Sequence, residues 1–198
     1  MKNAARLILI IVVGILSLTG CTQSTISKNY IKPVKLSSSE QELIDLVKMD
    51  DQIALFEFDK SPEVGNLSVV AESYVDGELV NTQPIMGIGL EASEKGKVVL
   101  VLNKGEHLSV QIKQSYSKGT VATHSEIPLD FIDGEIIGWS YGFLEETIDL
   151  EKNTKPIIGF YVFSESGMIR ASAVSGFEVD PELLKEAENI VLFRVIVE

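Results

Sequence analysis

Residues 106–129 alternate between apolar and polar side chains, and this pattern constrains the fold more than any other feature of the chain. Successive side chains of a β-strand point to opposite faces of a sheet, so strict alternation predicts a strand with one buried face. One face of the first run would carry Leu108, Val110, Ile112 and Tyr116, and the other Ser109, Gln111, Lys113 and Ser115. The polar stretch SYSKGT that follows predicts a hairpin turn.

Turn signals divide much of the remaining chain into further short strands. Asp76-Gly77 separates two β-rich runs and is a strong signal for a tight hairpin. Residues 96–105 form a continuous apolar run between glycines, which predicts a strand buried on both faces. A second hairpin is expected to turn at Glu165-Ser166-Gly167, and residues 190–197 predict a final strand.

Two segments have the pattern of a short helix. Residues 40–49 follow Ser39, which forms a capping box with Glu42, and their apolar residues have helical spacing. Asp180 followed by Pro181 predicts the start of a second helix of two or three turns. The apolar face of the first helix would contain Leu43, Ile44, Leu46 and Val47. Many short strands with two short helices predict an antiparallel β-sandwich or half-closed barrel, with both helices at its periphery.

The first 21 residues have the organisation of an export signal. Lys2 and Arg6 precede an apolar run of 12 residues, 7–18, which is shorter than the about 20 residues that a transmembrane helix needs. Leu18-Thr19-Gly20-Cys21 follows, and this tetrapeptide closely resembles the lipobox of bacterial lipoproteins. The resemblance implies a diacylglyceryl group, with acyl chains such as palmitate, on the Cys21 thiol and cleavage just before it. Since Cys21 is the only cysteine, the chain cannot form an internal disulfide.

Charge separates the expected mature chain into a tether and a domain. Residues 22–35 contain three lysines and no acidic residue, whereas residues 36–198 contain 12 basic and 29 acidic residues, a net charge of −17. We therefore expect a signal peptide over residues 1–20, a lipidated tether over 21–35 and one acidic domain over 36–198. Phosphate backbones repel such a domain, so nucleic-acid binding is not expected.

The pentapeptide GWSYG, residues 138–142, fits the G-x-S-x-G pattern that carries the nucleophilic serine of many esterases and lipases. Such a serine needs a histidine base, and in that hydrolase fold the histidine follows the serine along the chain. Both histidines, His107 and His124, precede Ser140. Ser140 is therefore only a minority candidate for a catalytic nucleophile.

Interpreted as a strand, the same stretch has one face of large residues and one of small residues. The large face would contain Ile137, Trp139, Tyr141 and Phe143, and the small face Gly138, Ser140 and Gly142. Burial of the rings in the sandwich core is the preferred interpretation, because aromatic side chains contribute much of the area of a core. The alternative is an exposed aromatic face that binds a glycan or a partner protein.

The two histidines are not expected to share a metal ion. With a hairpin turn at Lys118-Gly119, His124 lies opposite Lys113, and His107 lies about 20 Å away on the same outer face. Zinc ligands lie about 2 Å from the ion, so this separation excludes a shared site. A weak calcium site made from loop carboxylates stays open, and no cofactor is expected. Its candidate ligands are Asp130, Asp133, Glu135, Glu145, Glu146, Asp149 and Glu151.

Together these patterns predict a non-catalytic binding or interaction lipoprotein of the bacterial cell envelope. The lipid on Cys21 would hold it in the cell membrane on the extracytoplasmic side, with an envelope protein or a glycan as partner. Thr22 after the cysteine resembles the signal for sorting to an outer membrane, if the cell has one. The alternatives are an envelope serine hydrolase that uses Ser140 and a small substrate-binding lipoprotein of a transporter.

Overall fold

The computed structural model describes residues 29–47, 51–61, 63–88, 94–104, 108–116, 119–130, 132, 135–165, 167 and 187–198. The elements along the chain are β1 (Tyr30–Pro33), α1 (Ser38–Val47), β2 (Gln52–Lys60), β3 (Leu67–Val75), β4 (Glu78–Ile88), β5 (Glu94–Lys104), β6 (Leu108–Tyr116), β7 (Gly119–Ile127), β8 (Gly138–Phe143), β9 (Ile148–Asp149), β10 (Ile157–Ser164) and β11 (Asn189–Val197).

The strands form two antiparallel sheets that pack face to face. The order of the six-stranded sheet is β7-β6-β5-β2-β1-β9, and that of the five-stranded sheet is β4-β3-β11-β10-β8. The mainly β fold predicted from the alternation is confirmed. The two sheets do not close into a barrel.

One continuous apolar layer lies between the two sheets. Phe56, Leu100 and Ile112 enter it from the six-stranded sheet and are fully buried. Phe163 and Phe193 enter it from the five-stranded sheet and are also fully buried. Burial of a side chain of this size contributes about 1.5–3 kcal/mol, so this layer is the main source of stability.

The alternation that predicted β6 is confirmed on both of its faces. Leu108, Val110 and Ile112 are fully buried. Gln111 and Lys113, which alternate with them, are exposed. The side chain of Tyr116, predicted to share the buried face, lies outside the described residues. β6 therefore contributes one face to the core and the other to the surface.

The hairpin between β6 and β7 turns one position earlier than predicted. Its turn is at residues 117–118 and not at Lys118-Gly119. This shift moves each pairing partner by two positions, so every residue of β7 keeps the face that the predicted turn would give it. His124 consequently lies opposite Gln111, and the predicted pairing with Lys113 is wrong.

The hairpin predicted at Asp76-Gly77 joins β3 to β4. Both turn residues have positive φ angles, 48° for Asp76 and 80° for Gly77. Positive φ at both central residues is the requirement of a type I′ turn, whose twist matches that of the flanking strands. The Asp-Gly pair was therefore a correct signal for both the position and the kind of turn.

β5 was predicted to be buried on both faces, and this prediction is wrong. Val98, Leu100 and Leu102 are buried against the opposite sheet, but Val99 and Val101 are only half-buried. An apolar run does not show which of its faces is covered, because valine has a high β-propensity on either face. β5 is a central strand with one fully covered side.

The first helix begins earlier than predicted. Ser37, and not Ser39, forms the capping box, because its N–H donates to Glu40 Oε2 at 2.8 Å and its Oγ accepts from Glu40 N–H at 3.4 Å. The hydroxyl of Ser37 also donates to this carboxylate and lowers the pKa of Glu40. Three consecutive serines offered three possible caps, and the sequence did not distinguish between them.

Part of the predicted tether belongs to the folded domain. Residues 30–33 form β1, which pairs with β2 from Tyr30 opposite Asp59 to Pro33 opposite Phe56. The prediction had used the absence of acidic residues and had missed the alternation in this segment, in which Ile31 is buried. The folded part of the chain therefore includes residues before position 36.

Several predicted features lie outside the described residues. They are the second helix at Asp180 and Pro181, the chain after Gly167 in the predicted hairpin, and the amino-terminal segment with Cys21. Within the described part of the chain, no helix combines the length and the apolar character needed to cross a membrane.

Among the described residues, the sandwich is closed along one side and open along the other. On the closed side β4 contacts β7, and Gln83 Nε2 donates to the carbonyl oxygen of Glu126 at 3.0 Å. On the other side the sheets end in β9 and β8, which are not paired with each other. We call this side the open seam.

Replacement of Gly77 by alanine tests the hairpin. At φ 80° a side chain meets the backbone, so Gly77→Ala should lower the free energy of unfolding by about 1–2 kcal/mol. Asp76→Asn is the matched control and should have little effect, since asparagine tolerates positive φ. Urea unfolding of the purified protein measures both. Equal effects of the two substitutions would contradict the assigned turn.

Candidate functional site

The GWSYG stretch is a strand, and its large residues face the space between the sheets. β8 pairs with β10, so that Tyr141 lies opposite Tyr161 and Trp139 opposite Phe163. Residues directly opposite each other in a sheet point to the same face. Since Tyr161 and Phe163 belong to the layer between the sheets, the rings of β8 point to that side as well.

Two rings of β8, those of Trp139 and Tyr141, are nevertheless not core residues, whereas Phe143 is half-buried and packs against the core. Trp139 is 42% exposed and Tyr141 is 39% exposed, and Ile137 just before the strand is 67% exposed. The preferred prediction of a buried aromatic core is therefore wrong for Trp139 and Tyr141, because β8 is the last strand of its sheet and lies at the open seam. We call Trp139, Tyr141 and Phe143 the aromatic row.

The aromatic row is supported by a fully buried ring. The centroid of Tyr161 lies 5.7 Å from that of Trp139 and 5.8 Å from that of Tyr141. Within the row, Trp139 lies 5.9 Å from Tyr141, and Tyr141 lies 5.7 Å from Phe143. These separations are typical of favourable aromatic pairs, so each exposed ring has a defined position before any ligand binds.

Tyr161 also has a buried hydroxyl group in this region. The side chain is fully buried, and its hydroxyl has no hydrogen-bond partner among the described residues. Burial, with smaller contributions from Tyr141 and Asp51, raises the pKa of Tyr161 to about 12. The phenol is therefore neutral at physiological pH, so the ring that contacts the aromatic row from below carries no charge.

The small face of β8 packs against its own sheet. A Cβ atom on Gly142 would lie 2.4 Å from Cε1 of Phe160, and one on Gly138 would lie 3.1 Å from Cα of Gly167. The glycines thus allow a ring and a backbone segment to approach the strand. This explains both glycines of the motif without a catalytic turn.

The structure does not bring Ser140 together with His124, the histidine that lies within its described residues. Ser140 lies in the middle of β8, opposite Val162. His124 lies in β7, at the far end of the other sheet, where its Nε2 is 3.8 Å from Glu126 Oε1. His107 lies outside the described residues. A strand interior also differs from the sharp strand-to-helix turn that exposes the nucleophile of α/β-hydrolases.

A groove continues from the end of the aromatic row. It has a volume of about 760 Å³ and lies between α1, the beginning of β2 and the end of β8. Its apolar lining includes Val34, Ile44, Ile53, Leu55, Phe143 and Leu144. Phe143 belongs to both the row and this groove, which we call the seam groove.

The helix beside the seam groove leaves apolar side chains uncovered. Leu43 is 63% exposed and Leu46 is 74% exposed, whereas Ile44 is half-buried. The predicted apolar face of α1 therefore exists as a sequence pattern but is not packed into the core. Leu46 lines the groove. The sequence analysis recognised the shared helical face, but helical spacing alone does not show what that face contacts.

The polar surroundings of the seam are mainly acidic. Glu42 and Asp45 of α1 line the seam groove, and Gln41 Nε2 donates to Asp45 Oδ1 at 3.1 Å. Glu145 and Glu146, just after β8, are exposed. They line a smaller neighbouring cavity of about 430 Å³.

This smaller cavity also contains basic side chains. Lys32 Nζ lies 2.7 Å from Glu57 Oε1, and this hydrogen bond raises the pKa of Lys32 and lowers that of Glu57. Lys35 lies in the same cavity as Glu145 and Glu146. The charges that line this cavity therefore sum to one negative charge.

The acidic residues proposed for a calcium site are not gathered into one. In the described part of the chain, no group of three or more histidine, cysteine, aspartate or glutamate side chains is arranged to hold a metal ion. Asp133 lies outside the described residues.

Comparison with known proteins gives one family. The family model described as the YgaN domain matches residues 30–197, which is most of the chain and begins at the first residue of β1. No curated protein matches the chain, and no solved structure matches it.

Truncation of the aromatic row should cost less stability than truncation of the core. Phe163→Ala should lower the free energy of unfolding by about 3–5 kcal/mol, because its ring is fully buried. Tyr141→Ala should cost distinctly less, since its ring keeps part of its contact with water in the folded state. Thermal unfolding monitored by circular dichroism compares the two variants. Equal losses would show that the row is part of the core.

Proposed function

This chain belongs to the YgaN domain family, and we propose that it is a non-catalytic binding protein anchored by lipid in the bacterial cell envelope. The observation that carries the binding role is the aromatic row. Trp139 and Tyr141 are 42% and 39% exposed, although both rings pack against the fully buried Tyr161.

The aromatic row has the properties of a binding face. Tyrosine and tryptophan are enriched in interfaces because they combine a large apolar surface with a polar group. Contact with Tyr161 positions the two rings before binding, so little side-chain entropy is lost when a ligand covers them. The seam groove adds a concave apolar surface at the Phe143 end of the row. An envelope protein or a glycan fits such a face.

The proposed anchor places the domain close to the membrane. Cys21 would carry the diacylglyceryl group after removal of residues 1–20, on the extracytoplasmic side of the cell membrane or in an outer membrane. β1 begins at Tyr30, so eight residues, 22–29, lie between this strand and the lipidated cysteine. Eight extended residues span at most about 29 Å. The partner would therefore lie at or near the membrane surface.

Lipidation is tested on Cys21. In a bacterial host the protein should partition into the detergent phase and carry a diacylglyceryl mass on this cysteine. Cys21→Ala should remove that mass, because the thioether can form only at the thiol. The measurement is detergent-phase partition followed by mass spectrometry of the amino-terminal peptide. An unmodified wild-type protein cleaved at another position would exclude the anchor.

The binding face is tested by site-specific crosslinking in cells. p-Benzoylphenylalanine in place of Tyr141 should form adducts with an envelope component, because the row would contact it. The same photoreactive residue in place of Val80, which is 51% exposed on β4, is the matched control and should form few adducts. Gel shifts and mass spectrometry detect the products. Equal adduct formation at both positions would contradict a specific face on β8.

The same protein preparations distinguish the proposed binding role from two other functions. A serine hydrolase would be labelled at Ser140 by a fluorophosphonate probe, with the label lost in Ser140→Ala, and such labelling would replace the non-catalytic proposal. A substrate-binding protein of a transporter would bind a small solute, with a change in the emission of Trp139, the only tryptophan of the chain. Crosslinks between the aromatic row and a macromolecule would favour the interaction role over both the hydrolase and the transporter roles.

A further inference from the structure

β8 differs from the other strands that end the two sheets. The edge strands are β7 and β9 in one sheet and β4 and β8 in the other. β4 and β7 contact each other across the closed side, and β9 contains two residues. β8 contains six residues and has one neighbouring strand in the described structure.

β8 also lacks the features that usually protect an edge strand. Proteins prevent edge pairing with proline, charged side chains or bulges. β4 contains Pro84 and pairs with β3 through two register shifts. The sequence of β8, GWSYGF, contains neither proline nor charge, and its pairing with β10 has no register shift.

The open side of β8 presents backbone groups that can pair. Leu144 N–H donates to the carbonyl of Ile158 at 3.1 Å, which fixes the phase of the ladder with β10. Backbone groups of successive residues point to alternate sides, so Tyr141 and Phe143 direct their N–H and C=O groups to the open side. No hydrogen bond joins these groups to a described residue on that side.

Carboxylates flank the open strand at both ends. Glu135 precedes β8, Glu145 and Glu146 follow it, and all three side chains are exposed. Lys35 is the basic residue beside the second pair, since Lys32 is paired with Glu57. Each end of β8 is therefore net negative over the residues described there.

We infer that β8 binds an extended segment of a partner protein by strand addition, and that the segment has about six uncharged residues between basic ends. The partner's backbone pairs with the open side of β8, as in other cases of β-augmentation. Its side chains on the inner face lie beside the aromatic row, and the one next to Phe143 lies at the mouth of the seam groove. This inference rests on the proposed binding role and specifies the partner.

The flanking charges disfavour a second copy of this chain as the occupant. Antiparallel pairing of two β8 strands would place Glu135 of one copy beside Glu145 and Glu146 of the other. Parallel pairing in register would place each carboxylate beside its own counterpart. Like charges at such short separations are destabilising, whereas lysine or arginine at the ends of a partner segment would be attracted.

The emission of Trp139 measures this binding directly, because no other tryptophan contributes. The probe is an acetylated and amidated octapeptide with alternating valine and threonine between two terminal lysines. Titration into the full chain in a non-ionic detergent should give a saturable change in emission. The same peptide with terminal glutamates should bind more weakly, by roughly twofold to fivefold for each charge.

Two protein variants locate the site. Tyr141→Lys should weaken binding of the lysine-ended peptide about tenfold. The contact between the peptide and the Tyr141 ring is lost, and a charge of the same sign as the peptide's lysines is introduced. Val80→Lys introduces the same charge on β4 and should leave the affinity unchanged. Circular dichroism of both variants checks that the fold is retained. An equal loss in both would show that net charge, and not β8, controls the affinity.

Two modified peptides separate strand addition from contact by side chains alone. One carries N-methyl groups on the residues whose N–H groups face β8, and the other carries them on the alternate residues. Only one isomer should retain the affinity of the parent peptide, since N-methylation removes the donor and blocks the approach of the strand. Equal binding of both isomers would overturn strand addition.

Three further outcomes would each overturn the inference. The first is equal binding of the lysine-ended and glutamate-ended peptides. The second is a dimer in sedimentation that Tyr141→Lys dissociates, which would make a second copy the occupant. The third is an intramolecular crosslink from position 141 to residues 168–186. If no peptide binds but crosslinking at position 141 in cells gives a glycan adduct, the inference fails and the binding role stands.

Discussion

Burial of one face of each long strand against the opposite sheet is the interaction on which the rest of the structure depends. Phe56, Leu100, Phe163 and Phe193 are fully buried in this layer, and they come from four different strands. A layer shared by two sheets stabilises central strands on their inner face but leaves their margins partly uncovered. On one margin β4 and β7 contact each other. On the other margin the layer ends at β8, and its last rings stay in contact with water.

The fold was predictable because a period of two is a local property of the sequence. The same pattern showed which residues of β8 share a face, and that assignment is correct for Trp139 and Tyr141. It could not show that β8 ends its sheet, because strand order depends on pairings between residues far apart in the chain. The exposure of the row follows from that order. The error about burial therefore has a tertiary cause.

The helix and the first strand show the same limit on a smaller scale. The apolar spacing of α1 was recognised, yet Leu43 and Leu46 are exposed, because no described strand covers that side of the helix closely. β1 was missed because Lys32 was counted as a charge and not as part of the outer face of a strand. In both cases the local pattern was present, and its meaning depended on the neighbouring element. Tyr161, which supports the row, was visible only once β8 and β10 were paired.

Some of the acidic side chains of this chain lie beside the open seam. An uncharged edge strand with exposed rings would pair readily with copies of itself if nothing opposed this. Charge repulsion opposes such pairing at the ends of β8, where Glu135, Glu145 and Glu146 are exposed. This repulsion acts within about 8 Å at physiological ionic strength. Charge at the ends differs from a lysine or proline within the strand, because it leaves the backbone groups of the edge accessible. In the strand addition that we infer, the same carboxylates would repel another copy and attract a cationic segment, so one feature would set both the solubility of the edge and the charge of its partner.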